Sequence, residues 1–257
     1  MSDDDGTPLL EARGIVKSFG KVAALRGADF EVRRNEVVAL IGDNGAGKST
    51  LVKTLAGVHP ADDGQVLFEG APVTIHSPLD ARALGIETVY QDLALAAELD
   101  PASNLFLGRE VMRSGLLGRL GFIDKRAMRR QSDEAFERLS VAIQDVDAPV
   151  ATMSGGQRQG IAVSRAVMWA SKVVFMDEPT AALGVVQTRN VLDLITRVRD
   201  QGVSVVLISH NMPEVLEVAD RVEVLRLGQR VAQFERGVSI EQLVGAMTGA
   251  LGHWGRE

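Results

Sequence analysis

Apolar residues follow two rhythms along this chain. Short apolar runs bounded by turn-forming residues predict strands, and stretches with apolar positions three and four apart predict helices. Strands are predicted over 9–15, 28–32 and 37–41, with Arg33-Arg34-Asn35 as a turn. A hairpin turning at Gly70 is predicted over 64–75, and a strand ending at Gln91 over 86–91. Residues 92–150 change character. Helical period is clearest over 125–141, where Met128, Ala135, Phe136 and Leu139 form the buried stripe. Further on, helices are predicted over 160–170, 185–201 and 239–247. Buried strands are predicted over 172–178 and 203–209, and a hairpin about Gly228 over 222–234.

The run over 36–41 is followed by Gly42-Asp43-Asn44-Gly45-Ala46-Gly47-Lys48-Ser49-Thr50. It reads G-x-x-x-x-G-K-S, between a buried strand and a helix that opens at Thr50. Gly42, Gly45 and Gly47 let the backbone curl so that successive N–H groups face one anion. The helix N-terminus adds positive potential. Lys48 is expected to reach the β- and γ-phosphates of a nucleotide and Ser49 to ligate Mg²⁺. The expected fold class is α/β. It has a P-loop NTPase (RecA-like) core, an N-terminal antiparallel β subdomain and an inserted helical subdomain. One domain is expected over 8–251, with its core at 8–91 and 160–235 and the helical subdomain at 92–159. A closing hairpin and helix are expected over 222–251, and a solvated tail over 1–7.

Other candidates sit at strand ends. The 172–178 strand closes on Asp177-Glu178, and paired acids there are costly unless they meet a cation or perform proton chemistry. Asp177 is assigned to Mg²⁺, directly or through water, and Glu178 to the attacking water. His210, after the next strand, is favoured as a phosphate contact over a structural histidine; His59, His76 and His253 have no such context. Gln91 reads as a ligand position or as an ordinary strand-end cap. Phe19 reads as core packing or as a platform for a nucleotide base. Ser154-Gly155-Gly156-Gln157 precedes the 160–170 helix, with Ser154 as N-cap and the glycines exposing backbone N–H groups, a second potential anion site.

Composition narrows the reading. The 257 residues fit one large domain or a domain with a subdomain, and 46% apolar content supports a sizeable core. A net charge of -6 argues against a general nucleic-acid binder, and no nucleic-acid partner is expected. The absence of cysteine removes disulfides and thiolate metal sites. The acidic start, Met1-Ser2-Asp3-Asp4-Asp5, is unlike a secretory signal. Apolar runs stay strand-length, well short of the ~18 residues of a membrane span. A soluble cytoplasmic chain is expected, with any membrane role reached through a partner.

Taken together, Phe19, the loop 42–49, Gln91, Ser154-Gly155-Gly156-Gln157, the strand to Asp177-Glu178 and His210 resemble the ATP-binding subunit of ABC transporters over nearly the whole chain. The resemblance implies a head-to-tail dimer of two copies sandwiching two ATP molecules with Mg²⁺. Each nucleotide would lie between Lys48 of one copy and Ser154 with Gly156 of the other. Glu178 would polarise water, His210 would contact phosphate, and Gln91 would sense Mg²⁺ and transmit closure to a membrane permease. Phe122 to Met128, Ala181 to Gly184 and Glu241 to Gly249 are similar to the monosaccharide-import branch. That similarity implies a peripheral place at the cytoplasmic face of the cell membrane and, indirectly, an extracytoplasmic sugar-binding protein.

Two positions depart from the family pattern. Met153 replaces the usual leucine, a volume-conserving change. Gly184 replaces an aspartate that crosses the dimer interface, which puts cross-talk between the two sites in question. A DNA-repair or translation role is disfavoured by the compact segment between Gln91 and Ser154, which has no sustained heptads, and by the single ATPase half. A non-hydrolysing switch is disfavoured by Glu178 and His210. The ATPase of another transport system, for another solute or for export as a separate subunit, is the remaining alternative.

Overall fold

The computed structural model describes residues 6–181 and 183–250. Most of the expected tail, Ala182, the last expected domain residue 251 and His253 lie outside the described residues.

The chain starts with β1 (Leu10–Phe19) and β2 (Val22–Val32), a hairpin closed by Gly20-Lys21. Both strands run further than predicted, because cross-strand pairing continues to the turn, as far as Phe19 and Val22. β3 (Val37–Ile41) matches its apolar run and leads through the glycine loop into α1 (Lys48–Leu55). β4 (Asp63–Phe68) and β5 (Ala71–Val73) form the expected hairpin. They complete a four-stranded antiparallel sheet in the order β2-β1-β4-β5.

α2 (Pro78–Ala83), capped by Ser77 and Asp80 in a reciprocal box, precedes β6 (Ile86–Val89). β6 ends two residues before Gln91. The helical subdomain follows with α3 (Pro101–Leu105), α4 (Leu116–Arg119) and α5 (Lys125–Leu139). Its core joins Leu105, Phe106, Met128, Phe136, Met153 and Ile161. Met153 is buried there, a role an apolar side chain of its volume fills.

α6 (Gly155–Trp169) starts five residues earlier than expected, because Ser154 and Gln157 cap it and both glycines join the first turn. The expected division at 159/160 therefore falls inside one helix. Ile161 belongs to the subdomain core, while Ala162, Val163 and Ala166 pack under the main sheet.

β7 (Val173–Asp177), α7 (Val185–Asp200), β8 (Ser204–Ile208), α8 (Met212–Val218), β9 (Arg221–Arg226), β10 (Gln229–Glu235) and α9 (Ile240–Thr248) complete the fold. The second sheet has six strands in the order β10-β9-β3-β8-β7-β6, with every pair parallel except β9–β10. β3, β7 and β8 are buried throughout, as a sheet covered on both faces requires. α1 fills the space between the two sheets with Leu51, Val52 and Leu55.

A buried ion cluster also joins the sheets. Arg221 on β9 is 1% exposed and donates to Glu36 (2.8 Å), Glu223 (2.5 Å) and the main-chain oxygen of Glu31 on β2 (2.7 Å). Removing the guanidinium would strand buried carboxylates, at about 3–5 kcal/mol.

Candidate active site

In an open parallel sheet, ligands bind beyond the carboxyl ends of the strands. β3 ends there in the glycine loop. Gly47 is the N-cap of α1 with φ 105°, and a Cβ at this position would lie 2.7 Å from the Ala24 carbonyl oxygen. Gly42 is similarly close-packed: a Cβ would lie 2.2 Å from the Leu225 carbonyl oxygen. The loop is thus laid directly on β2 and β9, and only glycine permits that approach. No side chain caps α1, so its first N–H groups open onto the cleft. The buried Lys48 ammonium donates to the carbonyls of Gly42 (2.6 Å) and Asp43 (3.1 Å). Burial depresses its pKa; Glu178, Asp177 and Asp43 oppose that shift by attraction.

Two strands along, β7 delivers Asp177 and Glu178. Burial pushes the Asp177 carboxyl up, and the neighbouring Glu178 charge adds to this, against the pull of Lys53 and Lys48. Asp177 has no ion-pair partner among the described residues. Glu178 has φ 50°, a left-handed conformation costing a non-glycine residue about 1–3 kcal/mol. Its N–H donates to the Ile208 carbonyl at the end of β8 (2.9 Å), which holds the turn. Its Oε1 lies 2.8 Å from His210 Nδ1. Glu214 then ties the two loops, accepting from Thr180 Oγ1 (2.5 Å) and Asn211 Nδ2 (2.7 Å).

These groups share one cleft of about 600 Å³. Asn44 to Thr50, Gln91, Asp177, Glu178 and His210 line it; Gly42 and Asp43 do not, and are tied to it through their carbonyls, which accept from Lys48. The cleft also takes Val22, Ala23, Ala24 and Arg26 from β2 and Leu227 from the β9–β10 turn, which sequence reasoning missed. No motif marks them; their signal is only their place beside a hairpin packed on the loop. Phe19 does not line the cleft. It is 45% exposed, stands edge-on to His59 (ring centroids 5.2 Å apart), and pairs across the hairpin with Val22, which does line it.

Ser154, Gly155, Gly156 and Gln157 are likewise absent from the cleft lining. Gln157 N–H donates to Ser154 Oγ (3.2 Å) and Ser154 N–H to Gln157 Oε1 (3.0 Å). The turn is partly to fully exposed and is backed by the start of α7: a Cβ on Gly156 would lie 2.9 Å from Gln187 Cγ. Gly184 is the N-cap of α7 and offers no side-chain cap.

A second missed residue connects the two regions. Arg165 on α6 donates to the carbonyls of Leu93 (2.8 Å) and Ala94 (2.7 Å), both left-handed and just beyond Gln91. Its pKa is lowered by burial, and main-chain carbonyls rather than a carboxylate hold it. The helix bearing Ser154 is thus tied to the segment bearing Gln91.

The ABC transporter family model matches residues 25–181. The chain is 49% identical to the fructose import ATP-binding protein of Rhizobium meliloti over 246 residues, 95% of this chain and 95% of that protein. It is 46% identical to the xylose/arabinose import ATP-binding protein of Sulfolobus acidocaldarius, covering 93% of this chain and 94% of that one. A ribose import ATP-binding protein of Rubrobacter xylanophilus is 43% identical over 94% of this chain, which spans 47% of that longer protein. Among solved structures, a nucleotide-free ATP-binding cassette from an ABC transporter superposes with TM-score 0.81 at 26% identity, covering 96% of this chain and 99% of that one. A second cassette, in its ADP conformation, gives TM-score 0.77 at 26% identity over 94% and 95% of the two chains. With a family match running from β2 past Glu178 and near-complete alignment to import ATPases, the chain belongs to the ABC transporter family as an ATP-binding cassette.

Proposed function

We propose that this chain hydrolyses ATP as the energy-coupling subunit of a monosaccharide importer, dimerising on ATP and acting on a membrane permease. The observation that carries the hydrolytic part is the convergence of Lys48, Ser49, Gln91, Asp177, Glu178 and His210 on one cleft. The sugar and the direction rest on the fructose, xylose and ribose import relatives.

In this reading the N–H groups of 42–50 and the Lys48 ammonium hold the phosphates, and Val22 with the neighbouring Phe19 hairpin borders the base. The oxygens of Ser49, Asp177 and Gln91 suit Mg²⁺, which takes one or two protein oxygens and completes its shell with phosphate and water. The unpaired, desolvated Asp177 is a carboxylate that a cation would relieve. When bound, Mg²⁺ supplies charge neutralisation at the phosphates. Glu178 orients and deprotonates water, and His210, held by Glu178, meets the γ-phosphate. Ser154, Gly155, Gly156 and Gln157 lie outside the cleft of their own chain, so in this reading they serve the cleft of a second copy. No helix among the described residues is long and apolar enough to cross a membrane, so the permease would supply the pathway; a sugar-binding protein outside would supply the sugar.

Uptake of labelled monosaccharides in cells lacking this chain tests the proposal. Wild type should restore uptake of one sugar, and Glu178→Gln should not. If the mutant restores uptake, or no sugar responds, the importer reading fails.

A further inference from the structure

The helical subdomain carries a protrusion between α3 and α5. Its arms pair at Met112 and Ile123, and Arg113 N–H to Phe122 O (2.9 Å) and Asp124 N–H to Val111 O (2.7 Å) hold its base. α4 forms the tip. Leu116 is 72% exposed, Leu120 65% and Phe122 52%, and none of the three belongs to a core cluster. Four cations stand among them: Arg113, Arg119, Lys125 and Arg126, all exposed. None has a carboxylate within ion-pair distance among the described residues, where most other arginines are paired. The two acids of the segment are used locally. Glu110 accepts the Gly108 N–H, and Asp124 caps α5. A positive, apolar protrusion thus stands on a chain of net charge -6.

Exposed apolar clusters of this kind mark contact surfaces. The shape and the single sign of charge choose between surfaces. A protein partner would have to enclose a convex tip and present acids to four separate cations. An anionic bilayer meets both demands without a matching shape: cations reach lipid phosphates, and leucine and phenylalanine enter the headgroup–acyl boundary. We propose that residues 111–126 dock on the surface of an anionic phospholipid bilayer. The remaining acidic surface opposes a closer approach, so the contact is local and salt-sensitive and orients a chain that the permease also holds. It does not depend on which solute is carried.

Co-sedimentation of the full chain with vesicles tests this, comparing phosphatidylcholine alone with phosphatidylcholine containing phosphatidylglycerol. Binding should require phosphatidylglycerol and weaken at high salt. Arg113→Glu/Arg119→Glu and, separately, Leu116→Ser/Leu120→Ser should each weaken it by roughly tenfold. ATP hydrolysis should stay at wild-type level in both, which shows that both fold. Equal sedimentation with the two vesicle types, or binding unchanged by both variants, overturns the proposal. So does binding seen only in vesicles that contain the permease, which would assign the protrusion to a protein partner.

Discussion

Two helices of this chain begin in glycine-rich turns, and they begin differently. α1 has no side-chain cap, so its leading N–H groups face a cleft already furnished with a buried ammonium and two carboxylates. α6 closes its own end through the Ser154–Gln157 box and presents the turn to solvent, away from that cleft. Similar composition therefore carries opposite states of readiness. The first start is organised within one chain, and the second has structure but nothing in its own chain to act on. Glycine content alone does not separate the two; cap chemistry and position on the sheet do.

The largest expected effect falls on the first region. Glu178→Gln should lower the phosphate-release rate by about a thousandfold while ATP binding persists, and ATP should then hold the protein as a dimer on size-exclusion chromatography. Turnover within tenfold of wild type would remove Glu178 from its proposed role.

A paired measurement then sets the regions against each other. Lys48→Ala should weaken fluorescent-nucleotide binding by the isolated chain by about tenfold or more. Ser154→Arg should leave that binding within about twofold yet lower turnover by about tenfold. If Ser154→Arg weakens binding as much as Lys48→Ala, the second start acts within its own chain and the contrast collapses.

Arg165→Met addresses the tie between the regions. Expected is a fall in kcat of about threefold and a higher Mg²⁺ concentration for half-maximal activity, with KM for ATP nearly unchanged and partial rescue by Arg165→Lys. A lower melting temperature with unchanged Mg²⁺ dependence would reduce Arg165 to packing.

The smallest effect concerns stability. Burial raises the Asp177 pKa, so the folded state keeps this proton to higher pH than the unfolded chain. The fold therefore loses stability as pH rises from the ordinary carboxylate range through the raised value. The penalty is complete once pH exceeds the raised value. Asp177→Asn should melt above wild type at neutral pH without nucleotide, lose that advantage in acid, and fail to turn over. Equal melting at neutral pH would show that the carboxylate is not strained there.

Chemistry that depends on neighbouring residues was legible in the sequence. The glycine loop, the acid pair at the end of β7 and Ser154 as an N-cap each follow from local spacing, and Val37–Ile41 reads as a strand because both its faces are buried. Features assembled by distant pairing were not legible. Val22, Ala23, Ala24 and Arg26 enter the cleft only because β2 extends beside the loop, and a short run of small apolar residues broken by Arg26 and Gly27 shows no strand alternation. Arg165 grips main-chain carbonyls, which leave no residue-specific mark. α3 and α8 escape periodicity because each is short, with proline at its start. Phe19, read as core packing or as a base platform, is 45% exposed and stands edge-on to His59, opposite a hairpin partner, Val22, that lines the cleft.

The position of β3 has a consequence for synthesis. Its two neighbours are β8 and β9, and the register pairs Val38 with Val206 and Arg221. As the chain leaves the ribosome, the phosphate loop emerges early but has no flanking strands until the C-terminal half follows. Until then β3 presents two unpaired apolar edges, a state open to aggregation or chaperone capture. Nucleotide therefore cannot template the loop before β8 and β9 have emerged and paired with β3.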